Sequence, residues 1–167
     1  MRHLETIVGL IVDHPLIAGG LIVALLCFRR YLPWLGVASR VVDGDSLEWR
    51  NGRRLVRIRL AGIDAPEWKQ PHGREAHAAL SALVGGRLVL FVPVAIDDYN
   101  RTVCHVFAGL RPVSTSLLWN GHAWPDGLLA TIVSLFARVR RAGLWGTRKP
   151  VHPTVWRLAS RTSPRMR

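Results

Sequence analysis

Arg54-Leu55-Val56-Arg57-Ile58-Arg59-Leu60-Ala61-Gly62-Ile63-Asp64-Ala65-Pro66-Glu67 begins with a strand's alternation and ends in an acidic loop. Val56, Ile58 and Leu60 fall on one face and Arg57 and Arg59 on the other, the two-residue period of a strand with one apolar side. The apolar face enters a core while Arg59 projects into a polar groove. Arg57 reads as a surface arginine. Just upstream, Asn51-Gly52 is a hairpin signal that turns the chain back from a strand over Ser46 to Trp49.

Working outward, Gly36 to Val42 reads as a first strand, and the Asp43-Gly44 turn delivers Asp45 to the head of the second. Pro66 stiffens the loop before a helix over Gly73 to Leu83, whose Ala76, Leu80 and Leu83 share a stripe and whose stop is Gly85-Gly86. Arg87 to Val94 and Thr102 to Leu110 read as two more strands, joined by the polar loop that carries Arg101. Five strands with a helix between the third and fourth fit an α+β fold built on an OB-type barrel. Ser114 to Trp119 reads as a short second helix. Asp126 is the expected N-cap of a third, running to about Arg141, and its two apolar stripes read as a wide core face or, for the second stripe, as a contact for a membrane or a partner.

The chain carries a net charge of +12, yet five of its eleven acids lie between Asp43 and Glu67. A basic surface attracts polyanions through counterion release. A knot of carboxylates inside it fits a hard cation held against a phosphodiester. Calcium and magnesium take oxygen ligands, and Asp45, Asp64 and the carbonyl of Ala65 can supply three. Arg59 and Arg101 can pair with phosphate oxygens through the guanidinium fork, and Glu67 can take a proton from an attacking water. His72, His77, His105 and His122 lack zinc-ligand spacing. Cys27 and Cys104 make no convincing disulfide, and Cys104 reads as a small apolar strand residue.

Val41 to Ser46, Arg59 to Glu67, Gln70 to Ala76, Asp97 to Arg101 and Gly143 to Trp145 occur in the order and approximate spacing of one family. The chain resembles the staphylococcal-nuclease-like (thermonuclease) domains over about Leu35 to Gly146. That resemblance implies a calcium-dependent endonuclease on a five-stranded OB-fold barrel with about three helices, cutting DNA and RNA to leave 3′-phosphates. It implies calcium carboxylates at Asp45 and Asp64, a ligand carbonyl at Ala65, a general base at Glu67 and phosphate-binding arginines at Arg59 and Arg101. Asp43 matches an acid acting near the metal through water, and Tyr99 a tyrosine near the terminal phosphate. The residue types alone admit magnesium or manganese equally. Ser46 replaces the family's usual threonine and Asp98 a lysine near the phosphate. No tyrosine pair follows Ala123, so Trp68 and Trp124 are the candidates for base stacking. The alternative is a non-catalytic barrel that binds nucleic acid or serves as a scaffold.

Three segments follow: an N-terminal apolar anchor or signal over 1–32, the nuclease-like domain over 33–147, and a disordered basic tail over 148–167. The apolar run from Ile7 to Phe28, interrupted by Asp13-His14-Pro15, predicts an N-terminal helix and a membrane-anchored or exported protein, with its orientation open. The tail holds six basic residues and no acid, so it reads as a polyanion-binding appendage with possible contact to anionic membrane. No specific protein partner is indicated.

Overall fold

Closure of a barrel by one parallel strand pair sets the architecture of the domain. The structure, a computed structural model, describes residues 19–20 and 31–162. Strands β1 (Trp34–Val41), β2 (Ser46–Asn51) and β3 (Arg54–Leu60) form an antiparallel meander. β5 (Leu88–Ile96) pairs with the open edge of β1, and β6 (Thr102–Ala108) pairs with β5. The barrel closes where β6 runs parallel to β3, with Ile58 opposite Thr102 and Leu60 opposite Cys104. This is the expected five-stranded OB-type barrel.

The β2–β3 register pairs Asn51 with Arg54, so the turn residues are Gly52 and Arg53. Gly52, at φ 57°, takes the left-handed position that a tight hairpin requires. The turn thus sits one residue later than Asn51-Gly52 suggested. Alternation in β3 behaves as read: Ile58 and Leu60 are buried while Arg57 is exposed. Pro93 is tolerated in β5 because the ladder with β6 is irregular between Pro93 and Ala95.

Helix α1 (Gly73–Val84) covers the barrel with Ala76, Leu80 and Val84, one turn apart. Val84, beyond the expected stripe, is as fully buried as Ala76 and Leu80, and Leu83 is only partly buried. Helix α2 (Val113–Trp119) adds Val113, Leu117 and Leu118 to the same core. Gly44, between β1 and β2, sits where an added Cβ would lie 2.6 Å from the Ala76 Cβ and 2.7 Å from the Ala65 Cβ. Gly44→Ala is therefore expected to cost about 1–3 kcal/mol through overpacking, measured as a lower urea midpoint. An unchanged midpoint would show that the helix yields freely.

Two expectations need correction. Helix α3 (Leu128–Val139) is capped by Gly127, whose carbonyl accepts from the Thr131 N–H and hydroxyl. Asp126 does not cap it; its N–H donates to the Gly62 carbonyl instead. Nor do the large apolar residues of α3 form a wide core face. Ser134 and Ala137 are buried, with Ala130 and Val133 packed on the core, while Leu128, Leu129 and Val139 are 77%, 79% and 84% exposed. Small residues face inward because α2 and the 3₁₀ turn Gly143–Gly146 lie close against that side.

The tail differs too. Residues 153–162, expected to be disordered, form helix α4 (Pro153–Thr162). Pro153 occupies the first helical position, where its missing N–H costs nothing, and it is buried. His152 Nδ1 accepts the Thr154 N–H at 3.2 Å, and the His152 carbonyl accepts that of Trp156 at 3.0 Å. Composition counts charge without its partners, and here a basic side chain finds acidic ones. The apolar run from Ile7 to Phe28 lies outside the described residues apart from Gly19 and Gly20. Among the described residues no helix is long and apolar enough to cross a membrane.

Candidate active site

Two short strands clip the acidic loop in place. β4 (Ile63–Asp64) pairs with β7 (Trp124–Pro125), Ile63 opposite Pro125 and Asp64 opposite Trp124. The Leu60 N–H donates to the Asp45 carbonyl at 2.8 Å, so the end of β3 and the head of β2 are tied together beside Asp64. Pleating then aims Arg59 into a cleft of about 700 Å³ that is also lined by Asp43, Asp45, Glu67, Tyr99 and Arg101.

Arg59 joins the two predicted ligand carboxylates. Its Nη1 lies 3.2 Å from Asp45 Oδ2 and its Nη2 2.9 Å from Asp64 Oδ1. Asp45 is only 3% exposed. Its Oδ1 accepts from the Ser46 hydroxyl at 2.8 Å and its Oδ2 from the Ala65 N–H at 3.0 Å. Asp43 turns its Oδ1 to the Asp45 N–H at 3.1 Å, which fixes the loop. Burial, then the neighbouring Asp43 charge, push the Asp45 carboxyl up to about 7 despite Arg59, the Ala65 N–H and Ser46. Asp64 goes the other way: burial would raise it, but hydrogen bonds from Arg157 and Arg59 outweigh that and hold it below the usual carboxylate range.

Arg101 is held by a partner that sequence reasoning passed over. Asp97 Oδ2 accepts from Arg101 Nε at 2.7 Å and pairs with its Nη2 at 2.7 Å, while Oδ1 accepts the Tyr99 and Arg101 N–H groups. Nη1 of Arg101 reaches the Ser46 hydroxyl at 3.3 Å. Tyr99, 66% exposed, lies over the guanidinium, 5.3 Å from ring centroid to Cζ. Arg57, read as a plain surface arginine, is exposed but lines the cleft and donates to the Tyr99 carbonyl at 3.0 Å.

The Glu67 backbone is set by buried Gln70, whose Oε1 accepts the Glu67 N–H at 3.1 Å. Gln70 Nε2 donates to the Val151 carbonyl at 2.7 Å, linking this loop to the tail. The Glu67 carboxylate accepts from Arg157 Nη1 at 2.8 Å, and Arg157 Nη2 lies 3.0 Å from Asp64 Oδ2. Nothing in the sequence around Arg157 distinguishes it from the other basic residues of the tail.

The donor set fits a hard divalent ion. Every candidate ligand is an oxygen, and the buried Asp45 carboxylate is short of positive charge despite Arg59. Among the described residues no group of three or more His, Cys, Asp or Glu gathers at metal-ligand spacing. A cation here would be held by Asp45, Asp64 and the Ala65 carbonyl, with water completing its shell.

The family model of staphylococcal nuclease homologues matches residues 57–147, more than half of the chain. The chain belongs to that family. An uncharacterised endonuclease of Escherichia coli O157:H7 is 37% identical to this nuclease over 130 residues, 73% of this chain and 84% of the relative. A probable staphylococcal-like nuclease of Oryza sativa subsp. japonica, CAN2, is 34% identical over 115 residues, 66% of this chain and 31% of that protein. A micrococcal nuclease of Shigella flexneri is 28% identical over 158 residues, covering 85% and 91% of the two chains.

Several side chains of the nuclease lie apart from the cleft. His72, partly buried, stacks on His122 with ring centroids 5.2 Å apart and Nε2 3.0 Å from Nδ1. Trp124 packs edge-on against Trp145 and His152. Trp68 is 47% exposed and meets His77. Cys104 is buried, and burial pushes its thiol up to about 12, so it is inert.

These groups give stability a pH dependence of opposing signs. Folding raises Asp45 from 3.8 to about 7, so the folded chain keeps a proton that the unfolded chain loses across that window. Its contribution therefore falls as pH rises from about 4 to 7. Burial holds His72 and His122 below 6.5, so their contribution is lost as pH falls beneath that value. In chelator, the unfolding free energy of wild type minus that of Asp45→Asn is expected to decline between pH 4 and 7. A flat difference would refute a strained buried carboxylate.

Proposed function

We propose that this nuclease is a calcium-dependent endonuclease that hydrolyses phosphodiesters of DNA and RNA and leaves 3′-phosphates. The observation that carries the reading is the convergence of Arg59, Asp45, Glu67 and Arg101 on one open cleft, with Asp64 paired to Arg59 beside it. When bound, a hard divalent ion supplies Lewis-acid polarisation of the phosphate. Asp45 and Asp64 would hold that ion, whose charge would let a polyanion settle against acids. Glu67 takes the proton of the attacking water as the water oxygen bonds phosphorus. The P–O5′ bond breaks and the 5′-oxygen gains a proton from solvent. Arg59 and Arg101 donate hydrogen bonds to the equatorial oxygens, where charge gathers in the transition state. Asp97 keeps the Arg101 fork oriented, and exposed Tyr99 offers a face beside it.

The test is digestion of plasmid DNA and of RNA with calcium, with chelator, and by Asp45→Ala. Cleavage that needs calcium and is lost in the variant supports the proposal, and end-labelling reads the 3′-phosphate. Binding without cleavage would mark a non-catalytic barrel instead. The apolar run before residue 32 supports a place at or beyond a membrane, which reporter fusions on either side of it would read.

A further inference from the structure

Arg157 engages the two acids that hydrolysis requires to be free. Its guanidinium bridges Asp64 Oδ2 at 3.0 Å and Glu67 Oε1 at 2.8 Å, with a longer contact to Asp64 Oδ1 at 3.4 Å. Arg59 already occupies Asp64 Oδ1, so both oxygens of that carboxylate are taken. In this arrangement Glu67 is an acceptor for a fixed cation, and the cleft mouth is crossed by a side chain of α4.

The hold is reversible by construction. The Arg157 and Glu67 side chains are 39% and 35% exposed, and pairs that open to solvent are individually weak. Beyond Pro153, only Trp156 and Arg157 among residues 154–160 are partly buried; Val155 and Leu158 are 57% and 59% exposed. The root of the helix is fixed where Gln70 Nε2 bonds the Val151 carbonyl. Gln70 also sets the Glu67 N–H, so the hinge and the acid share one anchor.

We propose that α4 is a latch on the cleft: Arg157 closes it by pairing with Asp64 and Glu67, and a divalent cation competes with it for Asp64 and releases the helix. This rests on the metal-site reading given above. The closed form withholds the ligands, so the apparent cation affinity equals the intrinsic affinity scaled by the open fraction. Removing the Arg157 charge removes that handicap together with the direct repulsion of a cation by the guanidinium, so release of the helix is read separately, from the exchange of its amides.

The experiment is calorimetric titration of the chelator-treated full chain with calcium chloride, for wild type and Arg157→Gln, together with amide hydrogen exchange over residues 154–160. Arg157 lies on an exposed helix outside the barrel, so its replacement leaves the core intact. The expected result is calcium binding about tenfold tighter in Arg157→Gln, the factor for a form open about a tenth of the time. The 154–160 amides of wild type should exchange faster with calcium than with chelator, and those of the variant fast in both. Equal calcium affinity in the two proteins, or wild-type exchange indifferent to calcium, overturns the latch and leaves the metal site standing. No calcium uptake by either protein overturns both.

Discussion

Arg59→Ala is expected to lower turnover by about 10²- to 10³-fold, the scale of losing a preorganised donor at developing charge. Its side chain is 21% exposed and bonds two carboxylates, one of which is almost fully buried. The change therefore acts twice. It removes a donor from the phosphate and leaves Asp45 facing Asp43 with less compensation. A stability loss of about 1–3 kcal/mol at neutral pH should accompany the loss of turnover, as for a buried group deprived of its partner. Arg59→Lys separates the effects: a point charge restores much of the stability but not the two-pronged geometry. Steady-state kinetics and urea unfolding of both variants check this. Full activity in the alanine variant would remove Arg59 from the reaction.

Glu67→Gln should lower kcat by about 10²- to 10⁴-fold, the range for loss of a positioned general base. Stability should change by less than about 1 kcal/mol, because the carboxylate is one-third exposed and its pair with Arg157 faces solvent. Glutamine keeps an acceptor for Arg157 and cannot take the proton. The loss should fall on kcat, with KM little altered. Retained turnover would mean that another group accepts the proton. A collapse in stability as large as that of Arg59→Ala would make Glu67 a structural acid.

The two variants divide the site along a physical line. Arg59 lies on a barrel strand and serves packing, charge balance and reaction at once. Glu67 stands on a loop held by Gln70, where the surroundings set its position and little of the fold depends on its charge.

Reading the chain alone recovers elements whose signal is local. Alternation from Val56 to Leu60 placed Arg59 opposite the core, and the cleft geometry agrees. The hairpin was readable to within a residue, since Gly52 carries the positive φ whichever pair flanks it. The third helix was legible as a helix, but its face was not. Hydrophobicity marks what can be buried, whereas Ala130, Ser134 and Ala137 face inward because the neighbouring elements leave no room for leucine. Asp126 suits an N-cap by type, yet its N–H goes to the Gly62 carbonyl across the β4–β7 clip.

Side-chain period, turn glycines and the spacing of acids act over a few residues, so they can be read from order alone; they dictate a barrel with an arginine and carboxylates at one end. The pairing of guanidinium groups with carboxylates cannot be read that way. Arg157 meets Asp64 across 93 positions and Glu67 across 90. No local preference encodes such a contact. It exists because the Gln70–Val151 bond and buried Pro153 turn a basic tail back over the cleft, where unbalanced negative charge draws it in.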